Sequence, residues 1–297
     1  MSTALVFGGQ GSQFPGMGRD IYFYSQKARN VFELATSIVG YDVANICFDA
    51  PQELLNKTIY CQICTLAVEL ALYEVFKDQA VQFDAVAGFS LGEYAALVAS
   101  NVISMENAFR LVFLRAQAME ESMEDAIGKM AAVINLDIKQ IEEICESIGT
   151  DKVMIANYNS YKQFVVSFAA DIYESLVEKV RYLGGHIIPL NVNRPFHHPL
   201  MRPAADKYCV DLKRYKFEMP NHPLYINVTG EKFNKHDSFV KRLYEQIFMP
   251  VQWIKTVENM LLDGIETFFE ISPRSTLASF INNISGGSAK VVDVQAK

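Results

Sequence analysis

Short runs of apolar and β-branched residues alternate along this chain with segments in which apolar residues recur every three or four positions. The runs TALVFGG, AVAGFS, MAAVINL, VMIANYN, QFVVSF, HIIPLNV, PLYINVT and TFFEIS read as strands. Their alternation with helical patterns predicts an α/β fold. Between residues 129 and 192 the order is strand, helix (DIKQIEEICESIG), strand, strand, helix (ADIYESLVEKVRYLGG), strand. That is the βαββαβ signature of a ferredoxin-like unit, expected here as a small subdomain inserted into a larger α/β body made of residues 1–128 and 193–297. No repeat with a period of 20 to 50 residues and no low-complexity tract interrupts the pattern.

Composition narrows the class without changing the architecture. The chain has 297 residues, half of them hydrophobic and about a fifth charged, which suits a globular α/β protein with a large and a small unit. Its apolar stretches are expected to fall short of the roughly 20 residues of a spanning helix, and the opening MSTALVFGGQGSQ lacks a basic segment before its apolar one. The expectation is a cytoplasmic protein without a membrane. Five cysteines are an odd number, which speaks against a disulfide framework. Cys61 and Cys64 form a CxxC, read as two small helix residues rather than a redox or zinc pair. A net charge of −7 disfavours nucleic acid as the main partner.

Candidate chemistry begins at AVAGFSLGEYAAL, residues 85–97, where Ser90 stands between Gly88 and Gly92 at a strand-to-helix junction. The layout G-x-S-x-G is that of a nucleophile elbow: the tight turn pushes the hydroxyl outward, and glycines let strand and helix approach. The N–H of Leu91 would then face a developing oxyanion, and Glu93 lies near the positive end of the helix. The alternative is a small residue in a turn. Of the five histidines, His186 opens the last strand of the insert, while His222 and His236 read as solvated loop residues. His197 and His198, in the Pro-punctuated NVNRPFHHPLM, lie where the chain re-enters the larger body. Adjacent residues of an extended loop point apart, so at most one of them is expected to face Ser90; two partly exposed loop histidines are the other reading. In SMENAFRLVFLRAQAMEESME, Arg110 has Glu106 four residues before it and reads as a surface pair. Arg115 instead has Leu111, Val112, Ala118 and Met119 as helical neighbours, so its guanidinium needs a carboxylate from the protein or from a ligand, or snorkels to solvent.

The sequence resembles the malonyl-CoA:acyl carrier protein transacylases and the acyltransferase domains of polyketide synthases over essentially its whole length. VFGGQGSQFPGMG, NKTIYCQ, GFSLGEYAAL, LVFLRAQAM, GKMAAVINLD, ANYNSYKQFVVSF, PFHHPLMRPAAD and QIFMPVQWIKTVENM carry the likeness, in the family's order. The resemblance implies a hydrolase-like α/β body with a parallel sheet, carrying the ferredoxin-like insert. It implies Ser90 as the acyl-accepting nucleophile, His197 as its base, and Arg115 as the partner of the malonyl carboxylate. It further implies the backbone N–H groups of Gln10 and Leu91 as the oxyanion hole, the main-chain carbonyl of Gln246 as the group orienting His197, and Gln62 and Asn159 as pocket residues. Malonyl-CoA is then a substrate rather than a bound cofactor, the partner is a phosphopantetheinylated acyl carrier protein, and no metal is called for. In the polyketide branch Leu after the nucleophile and Phe before the histidine accompany malonyl; Leu91 and Phe196 match.

The chain departs from the family at three places. Phe89 replaces a usual His, which bears on the choice of extender unit. Gly8 replaces a proline, read as loosening the loop that carries Gln10. Near the C-terminus Ile271-Ser272-Pro273-Arg274 stands for VGPG, and Arg274 reads as a solvated loop charge. The opening Met1 and the lack of linker-like sequence are read as a discrete protein. The alternatives are an acyl hydrolase that clears carrier-bound thioesters, which would gain little from Arg115, and a lipase-like esterase, for which no acidic triad member is evident. A non-catalytic carrier-binding module would be expected to lack one of the Ser–His pair.

Overall fold

The structure, a computed structural model, describes residues 2–121, 128–192 and 194–294. Its strands are β1 (Ser2–Phe7), β2 (Ala85–Gly88), β3 (Gly128–Ile134), β4 (Val153–Ser160), β5 (Gln163–Ala169), β6 (His186–Pro189), β7 (Leu224–Tyr225), β8 (Ile265–Ile271) and β9 (Lys290–Val294). They form two sheets. One runs β7-β2-β1-β8-β9 with every pair parallel. Its central strands are apolar on both faces, with Ala4 to Phe7 and Ala85 to Ala87 buried, because helices cover both sides. The other runs β4-β5-β3-β6, all antiparallel, and with its two crossing helices Ile138–Ile148 and Tyr173–Tyr182 completes the expected βαββαβ unit.

The strand period of two gives the small sheet two jobs. Ala131, Val133, Ile155, Val166 and Phe168 pack with Ile141, Ile144, Leu176 and Val180 of its own helices. Met130, Ala132 and Val165, on the opposite face, join the core of the large body. A parallel bridge between Asn157 and Val251, with Val251 N–H donating to the Ala156 carbonyl at 2.8 Å, ties β4 to the segment after the helix Phe239–Gln246.

The helix Thr58–Phe76 and its 3₁₀ extension Lys77–Gln79 correct the expectation that no apolar stretch reaches spanning length. By length and composition this helix qualifies, at a mean hydropathy of 1.5 over its most apolar window. It is apolar all round because it runs through the core, with 78% of that window buried. Cys61 and Cys64 lie on it as free, buried thiols, and burial pushes Cys61 up to about 12. Two further differences concern strands. PLYINVT yields only the two-residue β7, and the edge strand β9, from KVVDV, goes beyond the runs read as strands.

Candidate active site

β2 ends at Gly88, the 3₁₀ turn Ser90–Gly92 follows, and the helix Glu93–Ala99 begins at once. A Cβ on Gly88 would lie 2.0 Å from the Gly92 backbone, and one on Gly92 would lie 2.0 Å from the Gly8 carbonyl. Only glycine fits where strand, turn and neighbouring strand meet this closely. Ser90 itself sits at φ 51°, the left-handed region that non-glycine residues rarely occupy. Asn227, just beyond β7, holds this conformation. Its Oδ1 accepts from the Ser90 N–H at 2.6 Å and its Nδ2 donates to the Gly88 carbonyl at 2.5 Å.

Ser90 Oγ lies 2.9 Å from His197 Nε2. His197 Nδ1 lies 2.8 Å from the Gln246 carbonyl and 3.2 Å from that of Met249. Carbonyls only accept, so Nδ1 carries the hydrogen and Nε2 presents its lone pair to the serine hydroxyl. Burial, reinforced by the nearby Arg115 cation, lowers His197 to about 4 against the pull of the two carbonyls. The imidazole is therefore a neutral base across ordinary pH. No carboxylate hydrogen-bonds to it among the described residues, which removes the triad geometry of an esterase. His198 is also buried rather than loop-exposed; its Nδ1 accepts from the Leu200 N–H at 3.1 Å and it does not reach Ser90. His197 has φ 60°, so the pair parts by a left-handed kink rather than by an extended loop.

Arg115 is 1% exposed, on the face of the helix Met105–Glu121 that its apolar neighbours define. No ion pair neutralises it among the described residues. Its hydrogen bond runs from Nη2 to Gln246 Oε1 at 3.2 Å, the Tyr94 ring lies 5.8 Å from its Cζ, and its Nε has no partner among the described residues. Arg110, by contrast, pairs with Glu106 at 2.8 Å on the surface.

Ser90, His197 and Arg115 converge on one cavity of about 220 Å³, with Gln10, Phe89, Met119, Asn159 and Phe196 in its wall. The small sheet contributes Met130, Ala132, Gln163 and Val165 to the same wall. Neither the Gln10 nor the Leu91 backbone N–H has an acceptor among the described residues. Phe89 packs edge-on against Trp253 at 5.5 Å and lies 6.2 Å from Phe280, which makes that side of the cavity aromatic.

Three sequence-based placements need revision. Gln62 is fully buried behind Met119, donating to its Sδ at 3.5 Å, and does not line the cavity. The Leu91 side chain points into the hydrophobic core, so of the two positions associated with malonyl only Phe196 meets the cavity. Gly8 does not loosen its loop: a Cβ there would lie 2.2 Å from Ser272 Oγ. The departures at 8 and 272 are thus neighbours in space, bulk lost at one being gained at the other. Arg274 is exposed and its Cζ lies 5.0 Å from the Phe14 ring centre.

Motif reading missed Asn227, the Met249 carbonyl and the contact of Glu93 with the Gln246 amide. Asn227 had one usable signal, a polar residue within the run PLYINVT of an α/β chain, and the observed strand ends at Tyr225, which puts Asn227 at the strand end where parallel sheets carry their functional groups.

The acyl transferase domain family matches residues 4–292. The malonyl CoA-acyl carrier protein transacylase of Escherichia coli strain K12 is 36% identical over 284 residues, covering 95% of this chain and 92% of the relative. That of Bacillus subtilis is 32% identical over 287 residues, 96% of this chain and 72% of the relative. Among solved structures, the Clostridium perfringens transacylase superposes with a TM-score of 0.93 at 32% identity, over 99% of this chain and 93% of the other. A malonyl-transacylase in complex with its holo type II PKS acyl-carrier protein gives 0.95 at 32% identity, over 100% and 97%. On its sequence and its fold alike, the chain belongs to the acyl transferase domain family.

Proposed function

We propose that this chain moves a malonyl group from malonyl-CoA, by way of an ester on Ser90, to the phosphopantetheine thiol of an acyl carrier protein, for fatty acid or polyketide synthesis in the cytoplasm. The observation that carries the reading is Arg115: a buried cation without a carboxylate partner, in the wall of the cavity that holds the Ser90–His197 pair. A ligand carboxylate is the partner such a cation lacks. The names of the relatives support the same substrate and acceptor and favour transfer over hydrolysis.

In the reaction, His197 Nε2 takes the proton of Ser90 as Oγ attacks the thioester carbonyl. The oxyanion rests on the N–H groups of Leu91 and Gln10. The C–S bond breaks, and CoA leaves as its thiol with the proton from His197. The acceptor thiol then gives its proton to His197, attacks the malonyl ester, and Ser90 recovers its hydrogen. Arg115 grips the free carboxylate throughout, which excludes uncharged acyl groups by leaving the guanidinium unsatisfied. Phe196 and Phe89 crowd the cavity and favour malonyl over branched analogues. Residues 1–128 and 193–297 form the catalytic body in this reading, and 129–192 the subdomain that roofs the cavity.

Mixing the protein with malonyl-CoA and no acceptor should add one malonyl mass to the Ser90 peptide, and holo acyl carrier protein should then remove it. An unmodified Ser90, or a label discharged to water as fast as to the carrier, would sink this reading.

A further inference from the structure

Glu93 is 1% exposed, lies beside the cavity rather than in its wall, and has no part in the chemistry above. Its carboxyl group interacts electrostatically with Arg115 but makes no contact ion pair with it among the described residues; the side-chain amide of Gln246 stands between them. Gln246 Nε2 donates to Glu93 Oε2 and, at 3.0 Å, to the Ser90 carbonyl, while Oε1 accepts from Arg115 Nη2. The main-chain carbonyl of the same residue accepts from His197 Nδ1.

Donor and acceptor inventories fix this arrangement. A carboxylate and a carbonyl only accept, so both Nε2 hydrogens are committed to Glu93 and Ser90. The remaining oxygen faces the guanidinium, which only donates. A carboxylate in direct contact with Arg115 would occupy two donors of the fork and compete with the substrate. Held one amide away, it aligns the cation and offsets its burial while leaving Nε and the rest of the fork open.

We propose that Glu93 is a positioning residue for substrate selection, setting the Gln246 amide so that Arg115 is anchored through one nitrogen with its other donors available to the malonyl carboxylate. The inference rests on the malonyl reading above. Glu93→Gln removes the acceptor-only group; Gln246 can then turn its NH2 toward Arg115, and the guanidinium loses its anchor.

The experiment is the ratio of kcat/KM for malonyl-CoA to that for acetyl-CoA, measured at about pH 8, where Glu93, raised by burial to about 7, is ionised, on wild type, Glu93→Gln, Arg115→Ala and the double variant. The Glu93→Gln ratio should fall about tenfold, mostly through malonyl KM, as expected for loss of a hydrogen bond serving a charged group. In the Arg115→Ala background the same change should have no further effect on the ratio. Gln246→Met cuts the relay from the other side, keeps the main-chain carbonyl for His197, and should lower the ratio likewise; it decides the matter if Glu93→Gln fails to fold. An unchanged ratio, equal losses for both substrates, or additive effects in the double variant would overturn the proposal. So would a raised ratio, which is what removing a merely repulsive negative charge predicts. If Arg115→Ala itself leaves the ratio unchanged, the malonyl reading has failed; if it lowers the ratio while Glu93→Gln does not, only the positioning role has.

Discussion

Two residues were legible in the sequence because each contradicts its surroundings. Ser90 interrupts a strand-to-helix junction between glycines and Arg115 stands on an apolar helix face, while the Pro-flanked loop offered both His197 and His198 and only the family resemblance chose His197. The structure brings Ser90, Arg115 and His197 to one cavity. Replacing Arg115 with Ala should lower malonyl transfer far more than acetyl transfer, by a hundredfold or more if a bidentate charged contact worth roughly 3 kcal/mol is lost; steady-state rates with the two CoA esters check it. His197→Ala should abolish the Ser90 ester, whereas His198→Ala should leave most of it, since His198 Nδ1 serves only the Leu200 N–H. Mass spectrometry of the Ser90 peptide reads both. What stayed hidden are partners lying far along the chain: Asn227 is 137 residues from Ser90, and Gln246 is 153 from Glu93. The strand run around Asn227 gives its place at a strand end but not its partner, because an amide side chain carries no local pattern that names the residue it will contact.

At the scale of elements, the βαββαβ insert was readable because its helices are strongly amphipathic and its strands alternate, whereas β7 and β9 were not. β7 keeps only two residues because the chain turns at Ile226, whose N–H donates to the Glu231 carbonyl, and β9 is half-exposed at the sheet edge, where the apolar signal thins. The elbow shows what a junction costs. Ser90 holds a left-handed backbone conformation that disfavours any side chain, and Asn227, the packed glycines and the following helix impose it. Both Ser90→Ala and Ser90→Gly lose the hydroxyl and all acylation, but only glycine relaxes the backbone. Ser90→Gly should therefore be the more stable of the two by about 1 kcal/mol in urea denaturation. Equal midpoints would mean that the turn carries no strain.

For the whole molecule, buried titratable groups set opposing slopes of stability against pH. Burial lowers His197 and His198 to about 4, so the unfolded chain holds more protons than the fold between pH of about 4 and 6.5, and stability rises with pH across that window. Glu93, raised to about 7 by burial, and Glu69, raised well above the carboxylate range by burial and by the nearby Glu270, act the other way. The fold keeps their protons after the unfolded chain has released them, so stability falls as pH rises from the ordinary carboxylate range toward each folded value. Below about pH 6.5 the two effects offset. The histidine contribution is complete once pH passes the ordinary imidazole value, whereas Glu69 continues to lower stability while its folded carboxyl stays protonated. Its carboxyl oxygens have no partner among the described residues, and it lies where β1, β8 and the helix Thr58–Phe76 meet beneath Gly8, two residues before Gln10. Glu270 has its oxygens committed to Ser275 Oγ and to the N–H groups of Thr276, Leu277 and Ala278, so it offers Glu69 repulsion rather than relief. Glu69 should thus make wild-type stability decline as pH rises above the ordinary carboxylate range, for as long as its folded carboxyl keeps its proton. Glu69→Gln, which keeps the shape and removes the titrating proton, should flatten that decline in urea titrations run at a series of pH values above the ordinary carboxylate range. Parallel declines in the two proteins would mean that Glu69 is already ionised in the fold, and that the ground beneath the Gln10 loop is polar rather than dry.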